Sequence, residues 1–342
     1  MRRIALITPT FYHYSGIDRV VEEQARRFSA RGDTVTIFCL DGSIEVQGVE
    51  VRKFGMPRSL FLQRVYRLLF FLDFAKVARM AEAARGYDVA YAHFYPMTIV
   101  AQRAKRRYGV AYWSHNYGVP PASTFTSLIE KAYITLFHWL SNRTFRSADR
   151  IVSISRYLAD VLKQETGKDS EVEHVSIDRT KYHTGIDGTP VRKEHGIGND
   201  PLIVYIGRIS PHKGVDLLIR AFQEARKSIP RARLLIVGKP MFKAYAERLE
   251  REAGDGVDLV GFVPEDQLPQ YYAAADVYAT ATLWEGFDMP LAEAQACGTM
   301  AVAFDIGPHK EIADERARLV PVRDVHAVAR ALCSAFASRG KA

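Results

Sequence analysis

The feature that most constrains this chain is an alternation of short apolar runs with amphipathic stretches, played through twice. Strand-length apolar runs stand at 4–8, 34–40, 89–94, 110–114 and 151–154, and again at 202–206, 234–237, 257–260, 277–280 and 301–304. Between them, segments such as 19–30, 215–227 and 244–252 carry apolar residues at helical spacing. Strands alternating with helices at these lengths build parallel sheets covered by helices on both faces. A run rich in Gly, Pro and Asp over 185–200 interrupts the pattern, and 342 residues accommodate two domains. The expected architecture is α/β, with two Rossmann-like, doubly wound parallel-sheet domains over 1–185 and 186–342 facing each other across a cleft. In open parallel sheets, ligands bind outside the carboxyl ends of the strands, so the chemistry is expected there.

Several classes are set aside by composition. Arg2 and Arg3 lead into a strand-length run ended by Pro9, unlike a secretory leader. No stretch reaches the roughly 20 apolar residues of a spanning helix. Cys39, Cys297 and Cys333 lack metal-ligand spacing and read as reduced thiols of a cytoplasmic protein. The net charge of +8 lies wholly in residues 1–180, with 26 Lys/Arg against 18 Asp/Glu, and residues 50–107 hold 12 basic and 4 acidic side chains. That asymmetry suits an anionic partner, a membrane surface or a charged acceptor, or else a solvated basic face. No nucleic-acid motif accompanies it.

Two motifs carry chemistry. In Trp284-Glu285-Gly286-Phe287-Asp288-Met289-Pro290-Leu291-Ala292-Glu293, Asp288 suits a helix N-cap, Pro290 the first turn, and Gly298 the stop. The helix terminus so formed offers backbone N–H groups to an anion, here those of Phe287, Asp288 and Met289. Glu285 before the helix and Glu293 within it suit the hydroxyls of a sugar and a ribose, although a carboxylate near a helix start can also serve the dipole alone. In Gly207-Arg208-Ile209-Ser210-Pro211-His212-Lys213-Gly214, Gly207 permits a tight turn at a strand end. Arg208 and Lys213 can meet phosphate oxygens, or they are ordinary basic residues of a surface loop.

Together these elements resemble the retaining glycosyltransferases of the GT4 family, whose fold is GT-B. The Glu-x7-Glu pattern stands as Glu285 and Glu293, and the Gly-Arg-x4-Lys-Gly pattern as Gly207-Arg208 and Lys213-Gly214. The resemblance runs over most of the chain and is strongest from about 202 to 312. Gly16-Ile17 resembles the family's Gly-Gly loop near the donor phosphates, His115 its strand-end histidine against the donor sugar, and 153–156 a segment at the start of a helix. His93 ends another strand and could line the acceptor side instead. Asp288 stands where the family often has glycine, and Met300 where it often has proline.

The resemblance implies a hexosyltransferase that retains anomeric configuration and needs neither metal nor cofactor, its substrate a GDP- or UDP-linked sugar, with mannose or glucose the first expectations. Arg208 and Lys213 would neutralise the diphosphate, Glu285 would orient the sugar, Glu293 would hold the ribose, and the base would rest near Val263. The N-terminal domain would take a glycan or lipid-linked acceptor. The stretch 60–72, with Arg58, Arg64, Arg67, Lys76 and Arg79, reads as a basic amphipathic helix, suited to an anionic membrane or to packing on the sheet. Localisation would then be cytoplasmic, peripheral on the inner membrane face. A nucleotide-sugar epimerase on this fold and a catalytically idle scaffold are the rival readings. A Rossmann dehydrogenase is disfavoured, because no Gly-x-Gly-x-x-Gly follows the first strand.

Overall fold

The computed structural model describes residues 1–12, 16–125 and 128–339. The chain forms two compact units whose main division is Val175/Ser176, with the short stretch at 123–125 belonging to the second unit.

The first unit is a seven-stranded, all-parallel sheet of order β3-β2-β1-β4-β5-β6-β7. Its strands are β1 (Arg3–Phe11), β2 (Thr34–Gly42), β3 (Glu50–Lys53), β4 (Val89–His93), β5 (Ala111–Asn116), β6 (Arg150–Ser153) and β7 (Glu171–Val172). Helix α1 (Gly16–Ala30) lies on one face, where Val21, Ala25 and Phe28, one turn apart, pack on Ile4, Leu6 and Ile37. On the other face, α3 (Phe74–Ala83), α4 (Met97–Tyr108) and α5 (Leu128–Phe145) bury Met80, Val100 and Phe145 against Ala5, Ala90 and Tyr112. Helix α2 (Leu60–Leu69) precedes α3, and α6 (Arg156–Thr166) starts at Ser155, whose side chain accepts from the Leu158 amide as an N-cap should.

The second unit is a six-stranded parallel sheet of order β10-β9-β8-β11-β12-β13. Its strands are β8 (Leu202–Ile206), β9 (Arg233–Val237), β10 (Val257–Gly261), β11 (Val277–Thr280), β12 (Met300–Phe304) and β13 (Ala317–Val320). Helices α8 (Val215–Arg226), α9 (Lys243–Glu252) and α13 (Val325–Arg339) cover one face, around Leu218, Phe222, Leu249 and Leu332. Helices α7 (Thr189–Glu194), α10 (Leu268–Ala274) and α11 (Met289–Ala296) cover the other, around Val191, Tyr272 and Leu291. The short α12 (His309–Ile312) follows β12.

The expected division at 185/186 moves ten residues toward the N-terminus, and the Gly/Pro-rich run is no bare linker. Pro190 opens α7. Val191 is buried in the second unit's core, and Arg192 binds the Ala274 carbonyl and the Asp276 carboxylate. Glycine and proline there mark the ends of a short helix.

Candidate active site

Strand order locates the site in each unit. In the second unit the chain winds one way from β8 through β9 to β10 and the other way from β11 through β12 to β13, so the reversal falls between β8 and β11. A crevice outside the carboxyl ends of two such strands is where open sheets bind ligands. The loop after β8 carries Gly207, Arg208 and Lys213, and the loop after β11 carries Glu285, Phe287 and Asp288. Both sequence motifs therefore flank one crevice.

Backbone contacts lock the two loops together. Leu283 N donates to the His212 carbonyl at 2.8 Å. Gly214 has φ +62°, and a Cβ there would sit 2.0 Å from the Ala281 carbonyl oxygen. A Cβ on Gly238 would sit 1.8 Å from the Gly207 carbonyl oxygen. The glycines ending the first motif and facing its start thus serve close approach. Gly214→Ala is expected to lower the stability of this unit by roughly 2–4 kcal/mol, read as a fall in the urea midpoint; an unchanged midpoint would contradict the locking.

Lys213 and Glu285 form an ion pair, their side chains 14% and 12% exposed. Burial pushes the Glu285 carboxyl above its usual range and the Asp288 charge adds to this, against the pull of Lys213. Arg208 lies exposed at the rim. His212, between the two cations in sequence, is held neutral: burial, then Lys213 and Arg208, lower its pKa to about 3. The sequence reading passed over it, since a histidine in a basic loop gives no sign of how deeply it is buried.

Asp288 is the N-cap of α11, with φ +76°; its Oδ1 accepts from the Leu291 amide at 3.2 Å. Its backbone carbonyl takes the Ala292 amide, and Pro290 has no N–H. The anion-facing donors of the terminus therefore narrow to Met289 and the loop amides before it. The second Asp288 oxygen, Oδ2, lies 2.9 Å from His309 Nε2. Glu293 is buried and accepts from the Tyr272 hydroxyl at 2.8 Å. Phe287 is buried, and Val263 packs within the core beside Tyr272, leaving only its backbone for a base. The exposed ring of that stretch is Phe262, with Lys239 Nζ 4.2 Å from its centroid.

In the first unit the reversal falls between β1 and β4. Gly16 opens α1 there, exposed. His93 and His115 are neighbours: they pair in register on β4 and β5 and stack at 5.3 Å, both buried. His115 Nδ1 faces the Tyr91 hydroxyl at 2.8 Å and the Gln24 amide nitrogen at 3.2 Å. Nδ1 is thus held by protein groups, whereas Nε2 is buried with no protein partner among the described residues. Burial, then Arg27, lowers the pKa of this ring to about 3, and burial holds His93 well below its usual value. His115 is thus a neutral ring.

The basic stretch forms α2 over Leu60–Leu69 and then a single turn of 3-10 helix. Leu62, Val65, Leu69, Leu72 and Phe74 are exposed along it. Arg58 is also exposed, whereas Lys76 and Arg79 donate to the carbonyls of Gly55 and Phe54, and the side chain of Arg64 lies outside the described residues. A second apolar row went unread in the sequence: Leu128, Ile129, Tyr133, Leu136 and Trp139 of α5, with Ile129 83% exposed. Tyr95 links the two rows, its hydroxyl donating to the Leu68 carbonyl at 3.1 Å and its ring lying 4.8 Å from Phe137 of α5. Among the described residues, no helix is long and apolar enough to cross a membrane.

Two Rossmann-like parallel-sheet units, each with its polar residues at the strand-order reversal, define the GT-B class of sugar-transferring folds. Comparison with known proteins narrows the class. Residues 14–176 match the family described as Glycosyltransferase Family 4, and residues 189–342 match Glycosyl transferases group 1. Similar curated proteins include a GDP-mannose-dependent alpha-(1-6)-phosphatidylinositol monomannoside mannosyltransferase of Mycolicibacterium smegmatis, 32% identical over 207 residues, 56% of this chain and 53% of the relative. A D-inositol 3-phosphate glycosyltransferase of Mycobacteroides abscessus is 35% identical over 185 residues, 51% of this chain and 41% of its own. The chain thus spans about half or less of the first of these relatives' lengths. Among solved structures, Anabaena Alr3699/HepE in complex with UDP and glucose superposes with a TM-score of 0.81 at 21% identity, covering 100% of this chain and 91% of the other. The chain belongs to the GT4 glycosyltransferases.

Proposed function

We propose that the protein transfers a hexose, with retention of configuration and without a metal, from a nucleotide-diphosphate sugar to a lipid-linked or glycan acceptor. The observation that carries this is the buried Lys213–Glu285 pair beside the start of α11, at the strand-order reversal of the second unit. A cation, a carboxylate and helix-end amides are the groups a sugar diphosphate needs. Arg208 and Lys213 offset the charge that grows on the diphosphate as its bond to the sugar breaks. Glu285 takes sugar hydroxyls, and Glu293, held by Tyr272, sits on the ribose side. His115, a neutral ring, brings the sugar a hydrogen bond rather than a charge. GDP-mannose and UDP-glucose are the first donors to test, because GDP-mannose is named for a relative and UDP-glucose occupies the solved Anabaena neighbour.

For the acceptor, the apolar rows of α2 and α5, set in the basic first unit, support a lipid-presented substrate on an anionic surface. One experiment tests donor and acceptor together. The protein is incubated with labelled GDP-mannose or UDP-glucose and anionic vesicles reconstituted with a bacterial lipid extract, and the vesicles are floated. Label should rise with the vesicles. Label in a soluble product would retain the transferase and remove the membrane surface, and no product with either donor would overturn the function.

A further inference from the structure

Asp288 poses an electrostatic problem. It places a carboxylate at the start of α11, in the site assigned to a diphosphate, and it holds φ +76°, a region that residues other than glycine adopt at a cost. Capping uses only Oδ1. The other oxygen meets His309, which is fully buried on α12 and comes from a separate loop after β12.

The proton count on that ring follows from its neighbours. Nδ1 lies 2.7 Å from the Phe304 carbonyl oxygen, which can only accept, so Nδ1 carries a proton. Nε2 lies 2.9 Å from Asp288 Oδ2. A bare Nε2 facing a carboxylate would set two lone pairs against each other, so this contact holds a proton as well. The pair therefore carries one proton more than a neutral imidazole beside a carboxylate, and its net charge is zero instead of −1.

We propose that His309 is a positioning residue of the donor site: as an imidazolium held between the Phe304 carbonyl and the Asp288 carboxylate, it cancels the Asp288 charge and fixes the left-handed bend at the start of α11. This rests on the second unit binding a nucleotide-diphosphate sugar. Without the proton, Asp288 would present an uncompensated charge to the diphosphate and the bend would lose its outer anchor.

Among the described residues, the charges that act on His309 come from two loops, with Lys310 and Glu311 beside it on α12. Asp288 and Glu285 come from the loop before α11, and Glu285 is itself paired with Lys213 from the loop after β8. On its own helix, Lys310 pairs with Asp305. Burial opposes the imidazolium, and the bond to Asp288 prevails, raising the pKa of His309. A raised folded value means that the pair is intact below the ordinary histidine pKa and is lost as pH climbs through the folded value. Donor affinity should weaken in that direction.

The test is calorimetric titration of the full chain with GDP-mannose and UDP-glucose from about pH 6 to about 8.5, a range in which a diphosphate diester carries no titrating phosphate. Wild type should bind one donor with a Kd that rises with pH. His309→Gln should bind roughly ten- to a few hundredfold more weakly at the low end, the effect of one unit charge about 10 Å from one or both phosphate charges at an effective dielectric near 20, and should lose the slope. The double variant Asp288→Gly/His309→Gln removes the stranded carboxylate and lets glycine take the positive φ, so it should recover most of that loss. Should His309→Gln fail to fold, Asp288→Gly alone should still lose the slope. A double variant no better than His309→Gln, or a slope that persists in Asp288→Gly, overturns the inference. Wild type that binds neither donor overturns the donor site itself, and this inference with it.

Discussion

Replacing Lys213 by alanine is expected to lower kcat for sugar transfer by roughly 10²–10³, the scale on which one fixed charge-stabilising group acts in an enclosed site. Two losses coincide. A cation disappears from the place where the diphosphate gains charge, and Glu285, 12% exposed, loses its counter-ion. Burial and Asp288 already push the Glu285 carboxyl upward, so losing Lys213 removes the group that opposes this rise and weakens the hold on the charged carboxylate that would face the sugar. Because the pair acts as one unit, adding Glu285→Gln to Lys213→Ala should cost far less than the product of the single effects. Initial rates at saturating donor read this directly. A loss below about tenfold, or multiplicative effects, would contradict the pairing.

Acid should unfold the first unit earlier than its net charge alone would suggest. The His115 pKa is lowered from 6.5 to about 3, and His93, stacked on it, is also held well below its usual value. A depressed folded value means that the stabilisation is complete above the unfolded pKa and is lost as pH falls toward the folded one. For His115 the difference corresponds to roughly 4–5 kcal/mol across that window, an order-of-magnitude figure. Urea midpoints followed by far-UV circular dichroism should fall steeply between pH 6.5 and about pH 4, and His115→Gln should flatten the fall. Equal slopes in the two proteins would show that His115 is not the buried neutral base described here.

Legibility followed burial. All ten apolar runs became strands, within three residues at either end, because both faces of a central parallel strand are covered and its sequence reads as continuous apolar. The three unforeseen strands, β3, β7 and β13, all lie at sheet edges. Glu50-Val51-Arg52-Lys53 and Glu171-Val172 show no apolar run, since an edge strand needs only one partner and keeps much of its surface in water. The displaced boundary has a similar cause. Composition reported turns truthfully over 185–200, but it could not show that Val191 enters a core or that Arg192 ties α7 to Asp276.

The placement of the motif residues could be read because it depends on local spacing: Asp288 caps the helix that Pro290 opens, and Glu285 and Lys213 lie in the segments that follow adjacent strands. Pairings across the chain could not. His309 lies 21 residues beyond Asp288, and Tyr272 lies 21 before Glu293. The only sign of His309 in the sequence was indirect, a carboxylate where the family often has glycine, which needs a counter-charge from somewhere. The register of β4 on β5 likewise makes His93 and His115 neighbours, which the sequence does not show.

The most direct measurement is calorimetric titration of the wild type and Lys213→Ala with GDP-mannose and UDP-glucose. The expected result is saturable binding of one donor to the wild type, weakened at least about tenfold in the variant, as loss of a charge-assisted phosphate contact requires. Equal affinities in both proteins, or no binding of either donor to the wild type, would contradict a diphosphate site built on Lys213, Glu285 and the start of α11.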